Sequence, residues 1–477
     1  MATSALRAEL HQINQQIDLQ RRVLYDLEVS RFAVQSKLSQ LAVYPILTLP
    51  PELTSEIFVH CLPEDSWADI YEAPLLLTRV CRTWAHIAAS TPALWRSLRL
   101  CLGEWDDQEL RELLETWFRP NRGSALKIVL GGDLARVDLP EFMTSLQRHA
   151  HHISSLSLTL TARNLALLKS FPLKMRFLRE LEITVEDEED EIYAEPVDLK
   201  DVFVDTSQLT QVHVDQILPA NITLPWQQLT DFQCYDYFLD EVLEVLRLIP
   251  NLVSLDVTLG LEDHRDPARD KLIHHNLQRL TVMEQERLDR QETLHLLHFL
   301  TLPKLDTLKT EELEERTLRA FMRRSDIPPL ATMHVNLVGF PHECLDVCQE
   351  ILPSLRWLED LSLSCPTLPF AQAFFSGLAA RETFLPRLRK LAIGYDELTL
   401  ANQATLTSVL ELVAQAALNR NVLAQAGVVH CLDFLSFVVK LTELASLRLP
   451  FASLSGYRQL QINGVEVYIG TSLDSLL

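Results

Sequence analysis

The chain has 477 residues, of which only 12 are glycine, a share of about 2.5% against the roughly 7% that is usual in proteins. So few glycines argue against a site built on phosphate-binding loops, which need glycine for close backbone approach. The formal net charge of −22 argues against a nucleic-acid partner, because phosphate contacts need a basic face. With 47% hydrophobic residues, the chain is too apolar to be disordered over most of its length.

The cysteines and the first residues bear on the cellular compartment. Eight cysteines stand at irregular spacings without a Cys-x-x-Cys pair, which is typical of buried free thiols in a reducing environment. The chain starts with a polar, periodic stretch, so we expect no signal peptide. Polar residues interrupt the apolar stretch from Val422 to Leu441, which is predicted to be a buried helix. We expect a cytoplasmic or nuclear protein, or one found in both compartments, that binds neither membranes nor metal.

Residues 1–43 are predicted to form a helical arm. Apolar residues recur at alternating steps of four and three, the spacing of a coiled coil, without Gly or Pro before Pro45. A helix over residues 5–41 would be about 55 Å long at roughly 1.5 Å per residue. The narrow stripe needs a partner, which is either a second copy of the arm (self-association), another helix, or the arm's own domain. Arg31 within the stripe weakens a simple dimer. The stripe positions are Leu6, Leu10, Ile13, Ile17, Gln20, Leu24, Leu27, Arg31, Val34, Leu38 and Leu41.

Two short helices are predicted after the arm, within residues 44–100. Two consecutive prolines precede the first helix, where proline is tolerated because first-turn amides have no intrahelical acceptor. An insert over residues 63–74 separates it from a second helix, predicted over residues 75–89. Both helices carry apolar residues at helical spacing, so we expect a small helical module.

This module resembles the F-box. The family pattern is Leu-Pro-x-Glu-(Leu/Ile), then a helix with Ile and Phe or Leu, then Val-Cys-x-x-Trp, and finally Leu-Trp. All four parts occur here in that order over about 50 residues, with the acidic insert as the departure. The arm followed by this module is similar to F-box proteins of mushroom-forming fungi. The matching parts are Leu49-Pro50-Pro51-Glu52-Leu53, Ile57-Phe58, Val80-Cys81-Arg82-Thr83-Trp84 and Leu94-Trp95.

The resemblance implies docking on the Skp-type adaptor of a cullin-based ubiquitin ligase. It implies that residues 49–53, Ile57 and Phe58 face the adaptor, and that part of the 80–84 stretch packs inside the module. The alternative is a helical hairpin in which the same residues form only a core. The predicted adaptor-binding residues are Leu49, Pro50, Pro51, Glu52, Leu53, Ile57, Phe58, Val80, Trp84, Leu94 and Trp95.

Residues 101–477 are predicted to form a repeat array. An apolar-x-x-apolar-x-apolar triplet recurs from residue 95 onward, and the ten steps between the middle residues Ile128 and Leu391 average about 26 residues. The x-apolar-x-apolar alternation predicts a short strand with one buried face, and helices are predicted between strands, as over residues 240–248, 294–300 and 311–322. The middle residues are Leu98, Ile128, Leu156, Leu181, Val212, Phe232, Leu255, Leu280, Leu308, Met333, Leu361, Leu391 and Leu447.

The array resembles degenerate leucine-rich repeats, in which each strand-helix unit buries its apolar face only against its neighbours. The asparagine that the family carries after the third apolar position is absent. Residues 401–441 are predicted to be mainly helical, and residues 464–470 to form a final capping strand. The fold class that we expect is α/β, with a long N-terminal helix, a helical F-box module and a leucine-rich-repeat-like solenoid.

In such a solenoid the side chains between the buried positions line the concave face of the sheet. Here they predict a mixed, mildly acidic face that either recognises a protein substrate or is merely solvated. Glu180, Gln211 and Lys309 belong to this face. The predicted substrate-binding residues are Glu182, His213, Asp231, Gln233, Asp256, Arg279, His334 and Asp360.

No catalytic motif is recognisable in the chain, which lacks Gly-x-Ser-x-Gly, His-Glu-x-x-His and a P-loop. Six consecutive acidic residues at 186–191 predict a solvated loop, with a docking site for a basic partner as the alternative. We therefore expect a non-catalytic protein without a cofactor. It is either the substrate-recognition subunit of an SCF-type ubiquitin ligase, bound through a Skp-type adaptor to a cullin, or a repeat scaffold for protein–protein interaction without ligase association.

Overall fold

The computed structural model describes residues 2–41, 49–63, 67–119, 125–186, 197–260, 271–284, 295–338, 347–364, 368–380, 383–396, 403–440 and 451–470. The chain divides into two compact units, Met1–Trp95 and Arg96–Leu477. The predicted boundary between residues 100 and 101 would cut the first strand, Ser97–Leu102, which lies wholly in the second unit.

The first unit is helical where it is described. The first turn of α2 starts at Pro51, and the preceding Pro50 occupies the N-cap. The single helix predicted over residues 75–89 is wrong, because Cys81 is extended (φ −158°, ψ 166°) and separates two shorter helices. The β-branched Val80 and Thr83 beside it lower the helix propensity at this point. The helices are α1 (Ala2–Leu41), α2 (Pro51–His60), α3 (Leu75–Val80) and α4 (Arg82–Ser90).

Aromatic residues form the core of this unit. The Phe58 ring packs on Trp84 with ring centroids 4.9 Å apart. Trp95, which is fully buried, donates from Nε1 to the carbonyl of Ala88 at 2.9 Å. The hydroxyl of Thr91 lies 3.0 Å from that of Ser55, which links α2 to the end of α4. Phe58 and Trp84 therefore join α2 to α4, and Trp95 fixes the end of α4.

The second unit is built on a fully parallel sheet of 14 strands whose order follows the chain. Four further two-residue strands pair separately, β4 with β6 and β10 with β12. This gives a mixed α/β unit in which each strand of the large sheet pairs with the next one along the chain. The strands are β1 (Ser97–Leu102), β2 (Leu126–Gly132), β3 (Ile153–Thr161), β4 (Leu173–Lys174), β5 (Glu180–Glu186), β6 (Phe203–Val204), β7 (Gln211–Asp215), β8 (Asp231–Tyr237), β9 (Ser254–Leu259), β10 (Leu272–Ile273), β11 (Arg279–Glu284), β12 (Leu300–Thr301), β13 (Thr307–Glu314), β14 (Thr332–Val338), β15 (Asp360–Ser364), β16 (Lys390–Asp396), β17 (Phe434–Lys440) and β18 (Glu466–Gly470).

The middle residues of the predicted triplets form one continuous row across the sheet. Leu98 pairs with Ile128, Ile128 with Leu156, and the register continues to Leu391 and then Leu435. No member of this core row is more than 3% exposed. The predicted register is therefore correct across the described triplets. The core row comprises Leu98, Ile128, Leu156, Leu181, Val212, Phe232, Leu255, Leu280, Leu308, Met333, Leu361, Leu391 and Leu435.

The connections between strands are more varied than predicted. Residues 239–248 form a helix as expected. Of the helix predicted over residues 294–300, the described residues 295–300 form a one-turn helix, Leu296–His298. The helix predicted over residues 311–322 begins later, because pairing with β14 extends β13 to Glu314. The helices of this unit are α5 (Asp107–Phe118), α6 (Leu139–His149), α7 (Ala162–Leu167), α8 (Leu239–Leu248), α9 (Glu315–Arg324), α10 (Leu368–Ala380), α11 (Gln403–Gln425) and α12 (Phe451–Ile462).

The end of the array differs from the prediction. Helix α11 takes up most of the predicted helical stretch 401–441, but it ends at Gln425 and residues 434–440 form strand β17, so the helix predicted over 422–441 is wrong. The residues of β17 are predicted as helix because a short apolar run has the same pattern in a buried strand and in a buried helix. The triplet centred on Leu447 lies outside the described residues. The final strand predicted over 464–470 is present as β18.

None of the helices in the described part of the chain combines the length and the apolar character that a bilayer crossing requires.

Candidate functional site

Helix α2 exposes an apolar face in the first unit. Leu53 is 54% exposed and Ile57, one turn later, is 40% exposed. Thr54 and Phe58, on the opposite side of the helix, are buried. Residues four apart stand one above the other on a helix. Leu53 and Ile57 therefore form a continuous apolar strip that faces solvent.

Residues around this strip share its exposure. Leu49 is exposed ahead of α2, and Pro50, Pro51 and Glu52 are exposed at its start. Because the two prolines restrict the backbone, they hold this approach to the helix in one conformation. The five residues of the Leu-Pro-Pro-Glu-Leu motif thus lie at the surface.

Helix α3 exposes a second apolar pair. Val80 is 53% exposed, and Leu76, four residues earlier, is also exposed. Leu75 and Leu77 are buried on the other side of the same helix. Leu76 was missing from the predicted set, although its spacing of four from Val80 was the signal that could have found it. We refer to the exposed aliphatic residues Leu53, Ile57, Leu76 and Val80 as the apolar docking set.

Three residues predicted to bind an adaptor lie instead in the core. Phe58, Leu94 and Trp95 are at most 2% exposed, and Trp84 is half-buried against the Phe58 ring. A partner could touch the three buried side chains only by opening the unit. Their prediction as contact residues is therefore corrected: their place is to pack the helices that carry the apolar docking set.

The second candidate surface is the solvent face of the large sheet. Successive side chains of a strand point to opposite faces, so the residues directly before and after each core-row residue share this face. All eight predicted substrate-binding residues occupy such positions and are half-buried or exposed. We call this surface the polar face.

Polar side-chain contacts link the strands on the polar face. Arg279 reaches over the adjacent strand to Asp231, with Nη2 3.1 Å from Oδ1, and its Nε donates to Ser254 Oγ at 3.3 Å. His334 Nε2 lies 3.1 Å from Oδ1 of Asp360. These contacts connect β8, β9 and β11 in one group and β14 with β15 in another.

A looser pair lies nearer the start of the sheet. His213 Nδ1 is 3.6 Å from Oε1 of Glu182 on the neighbouring strand. Asp256, two strands further on, keeps solvent contact, yet the surrounding strands displace part of its water. This desolvation raises the pKa of Asp256, and the charges of His213 and Lys309 oppose the rise. The structure thus brings six of the eight predicted residues into three pairs and leaves Asp256 and Gln233 between them.

Charge is unevenly distributed along the polar face. In the positions flanking the core row, β5 to β9 carry carboxylates and no Lys or Arg, whereas β11 to β16 carry three basic residues and one carboxylate. The face is mixed and mildly acidic as predicted, but its charges are not evenly spread, since their sign changes between β9 and β11. Lys390 was missed, although the triplet register already placed it beside Leu391. The acidic part, from β5 to β9, holds Glu180, Glu182, Asp231 and Asp256, and the basic part, from β11 to β16, holds Arg279, Lys309 and Lys390 with Asp360.

Two buried histidines support turns near these strands. His295 Nδ1 accepts the backbone N–H of Leu297 at 3.1 Å, and its Nε2 lies 2.7 Å from the hydroxyl of Thr310. His274 accepts from Leu277 N–H through Nδ1, and its Nε2 lies 2.9 Å from the carbonyl of Ile249. Burial lowers the pKa of His295 to about 4 and also lowers that of His274. Both rings therefore stay neutral near pH 7 and act as fixed hydrogen-bonding supports.

Within the ranges that the structure describes, no group of three or more His, Cys, Asp or Glu side chains is placed to hold a metal ion. Residues 187–196, with most of the acidic run, and residues 339–346 lie outside those ranges.

Comparison with known families and curated proteins finds no match. No known family model matches the chain, and no curated protein is significantly similar to it.

Proposed function

We propose that this protein is the substrate-recognition subunit of a cullin-based ubiquitin ligase. The first unit would bind a Skp-type adaptor, and the polar face of the second unit would bind a protein substrate. The observation that carries the proposal is the exposure of Leu53 and Ile57 on α2, directly after the Leu-Pro-Pro-Glu motif. These are the positions at which resemblance to the F-box implies adaptor contact.

The division of the motif into exposed and buried residues supports this proposal. A helical hairpin whose motif residues served only as a core would bury Leu53 and Ile57 together with Phe58. Instead Phe58 and Trp95 are buried, and the apolar docking set on α2 and α3 is exposed. Exposed apolar side chains are common singly, but pairs repeated at helical spacing are typical of an interaction surface.

The second unit supports the recognition role. A parallel sheet that follows chain order, with one buried apolar row, is what stacked strand-helix units of the leucine-rich-repeat kind would produce. Its polar face offers a long array of side chains at a strand spacing of about 4.8 Å. Because the sign of charge changes along the face, the substrate that it fits is a protein segment with a basic part and an acidic part.

The role proposed for the protein is non-catalytic. It would hold a substrate close to the machinery that transfers ubiquitin, so that a bimolecular encounter becomes an intramolecular one. Binding would use apolar burial on the adaptor side and charge complementarity on the substrate side.

Co-purification with a Skp-type adaptor tests the adaptor half of the proposal. The tagged full-length protein is expected to retain the adaptor and, through it, a cullin. Changing Pro50, Leu53 and Ile57 together to alanine should abolish this retention, because it removes two apolar contacts and the rigid approach to α2. Circular dichroism should show an unchanged fold, since the three side chains are exposed.

A matched control changes apolar residues of similar exposure elsewhere. Ile273 and Val422, 57% and 66% exposed in the second unit, are changed together to alanine. This variant should retain the adaptor fully. If the wild-type protein retains no adaptor, or if the folded triple variant retains it as well as the wild type does, the ligase role is wrong and a repeat scaffold without ligase association is the better description.

Substitution on the polar face tests the substrate half. Once a bound protein is identified by mass spectrometry, Asp231, Asp256 and Arg279 are changed together to alanine. We expect the affinity for that protein to fall at least tenfold and the affinity for the adaptor to stay unchanged. Unchanged affinity for the captured protein would show that the polar face is not its binding site.

A further inference from the structure

The helical arm presents side chains that the structure leaves in solvent. From Ile13 to Val34, every side chain that is described on α1 is exposed. Five aliphatic stripe residues, Ile13, Ile17, Leu24, Leu27 and Val34, are between 42% and 61% exposed. A stripe of this kind is stable in water only when another surface covers it.

Two polar residues interrupt the stripe, and their positions identify what can cover it. In heptad terms, where a and d are the positions that face the partner helix, Gln20 occupies a d position and Arg31 an a position. In antiparallel coiled coils, an a layer of one helix meets a d layer of the other. Because Gln20 is at a d position and Arg31 at an a position, the two residues can face each other in an antiparallel pair.

In one antiparallel register, the two polar positions of the stripe face each other. If two copies of α1 cross at a two-fold axis between Tyr25 and Asp26, residue numbers of facing positions sum to 51. Gln20 of each copy then faces Arg31 of the other, where the amide oxygen can accept from the guanidinium. The remaining described layers are wholly aliphatic. They are Ile17 with Val34, Leu24 with Leu27, and the two equivalents of these by symmetry.

A parallel, in-register pair fits less well. It would place Arg31 against Arg31 and so desolvate two like charges in one layer. It would also place Gln20 against Gln20. The arginine and the glutamine would then occupy separate layers, and neither arginine would gain a hydrogen-bond acceptor from a glutamine. The antiparallel register removes the repulsion because each arginine gains an amide partner.

We propose that the helical arm binds the arm of a second copy of this chain as an antiparallel coiled coil, with Gln20 of each copy facing Arg31 of the other. The stripe is thus covered by the same stripe of a second copy, which runs in the opposite direction, and the polar layers specify the register. This dimer does not depend on the function proposed above.

Sedimentation of the full-length protein tests for the dimer. The wild-type chain should sediment as a dimer, and changing Leu24 and Leu27 to aspartate should make it monomeric. The matched control changes Tyr25 and Val29, which are 67% and 51% exposed outside the a and d positions of the same helix, to aspartate. That control should stay dimeric. A monomeric wild-type chain, or a dimer that survives the Leu24 and Leu27 change, would overturn the proposal.

A single conservative substitution tests the orientation of the two helices. Because it changes one exposed side chain very little, it is expected to leave the fold intact. In the antiparallel register, Gln20→Glu places a carboxylate against Arg31 in two symmetric layers and should tighten the dimer about fivefold. In a parallel register, the same change places two glutamates against each other and should weaken the dimer. A weaker or unchanged dimer would overturn the antiparallel arrangement even if self-association is real.

Discussion

The two units place their apolar residues differently. In the second unit, the core row runs through thirteen strands and is buried throughout, and the polar face opposite it carries paired charges. In the first unit, the described aliphatic stripe residues of α1 and the pairs Leu53/Ile57 and Leu76/Val80 are exposed at helical spacing, whereas Phe58, Leu75 and Leu77 are buried. The core row of the second unit therefore serves folding, whereas the exposed aliphatic residues of these helices are available for contacts with other molecules.

This difference predicts different binding behaviour for the two surfaces. An apolar contact gains its free energy from water release, depends little on salt and has a negative heat-capacity change. Contacts between charged groups are screened by salt and set the choice of partner. The first unit is thus suited to a constant partner, and the second to a selected one.

The largest effect is expected when a leucine of the core row is shortened. Leu280 is fully buried on β11 between Leu255 and Leu308. Leu280→Ala should lower the free energy of unfolding by about 3 kcal/mol, because the change creates a cavity in a close-packed row. Leu53→Ala should lower it by less than about 0.5 kcal/mol. Urea denaturation followed by circular dichroism measures both values, and equal losses would contradict the division between folding and binding leucines.

A second, smaller effect is expected on acidification and belongs to the second unit. The pKa of His295 is about 4 in the folded protein, against roughly 6.5 in an unfolded chain. Between these values the unfolded chain binds more protons, so stability falls as the pH decreases from 6.5 towards 4. At pH 5 the loss due to this group is about 2 kcal/mol.

The matched control for acidification is His295→Asn. Its side-chain oxygen can still accept from the N–H of Leu297, as Asn does at helix N-caps, but it does not titrate near neutral pH. Urea denaturation at pH 7.5 and pH 5 should show a smaller loss for this variant than for the wild type. Identical losses for the two proteins would show that His295 does not carry the effect.

The smallest effect is expected at the ion pair of Arg279 with Asp231. Both side chains keep solvent contact, so the pair is screened and contributes about 0.5 kcal/mol or less to stability. Arg279→Gln should therefore leave urea stability almost unchanged at low salt and wholly unchanged at high salt. A loss above about 2 kcal/mol would mean that the polar face holds the sheet together, and that its charges are not available for a partner.

The sequence predicted the register of the sheet because a buried strand leaves a two-residue pattern that does not depend on distant residues. It could not predict where β13 ends, since pairing with β14 and not the local residues extends it to Glu314. Likewise, Ile57 and Phe58 are adjacent and both apolar, yet only Phe58 is buried. Which of the two turns inward depends on where Trp84 lies, and that contact forms across the insert.

Calorimetric titration of the purified full-length protein with a purified Skp-type adaptor tests the central claim most directly. We predict a one-to-one complex with a negative heat-capacity change and an affinity that changes less than about twofold between low and high salt. Leu53→Asp with Ile57→Asp should weaken it at least about 100-fold, because two apolar contacts are lost and two charges are desolvated. No binding by the wild-type protein, or equal binding by the folded double variant, would contradict the account.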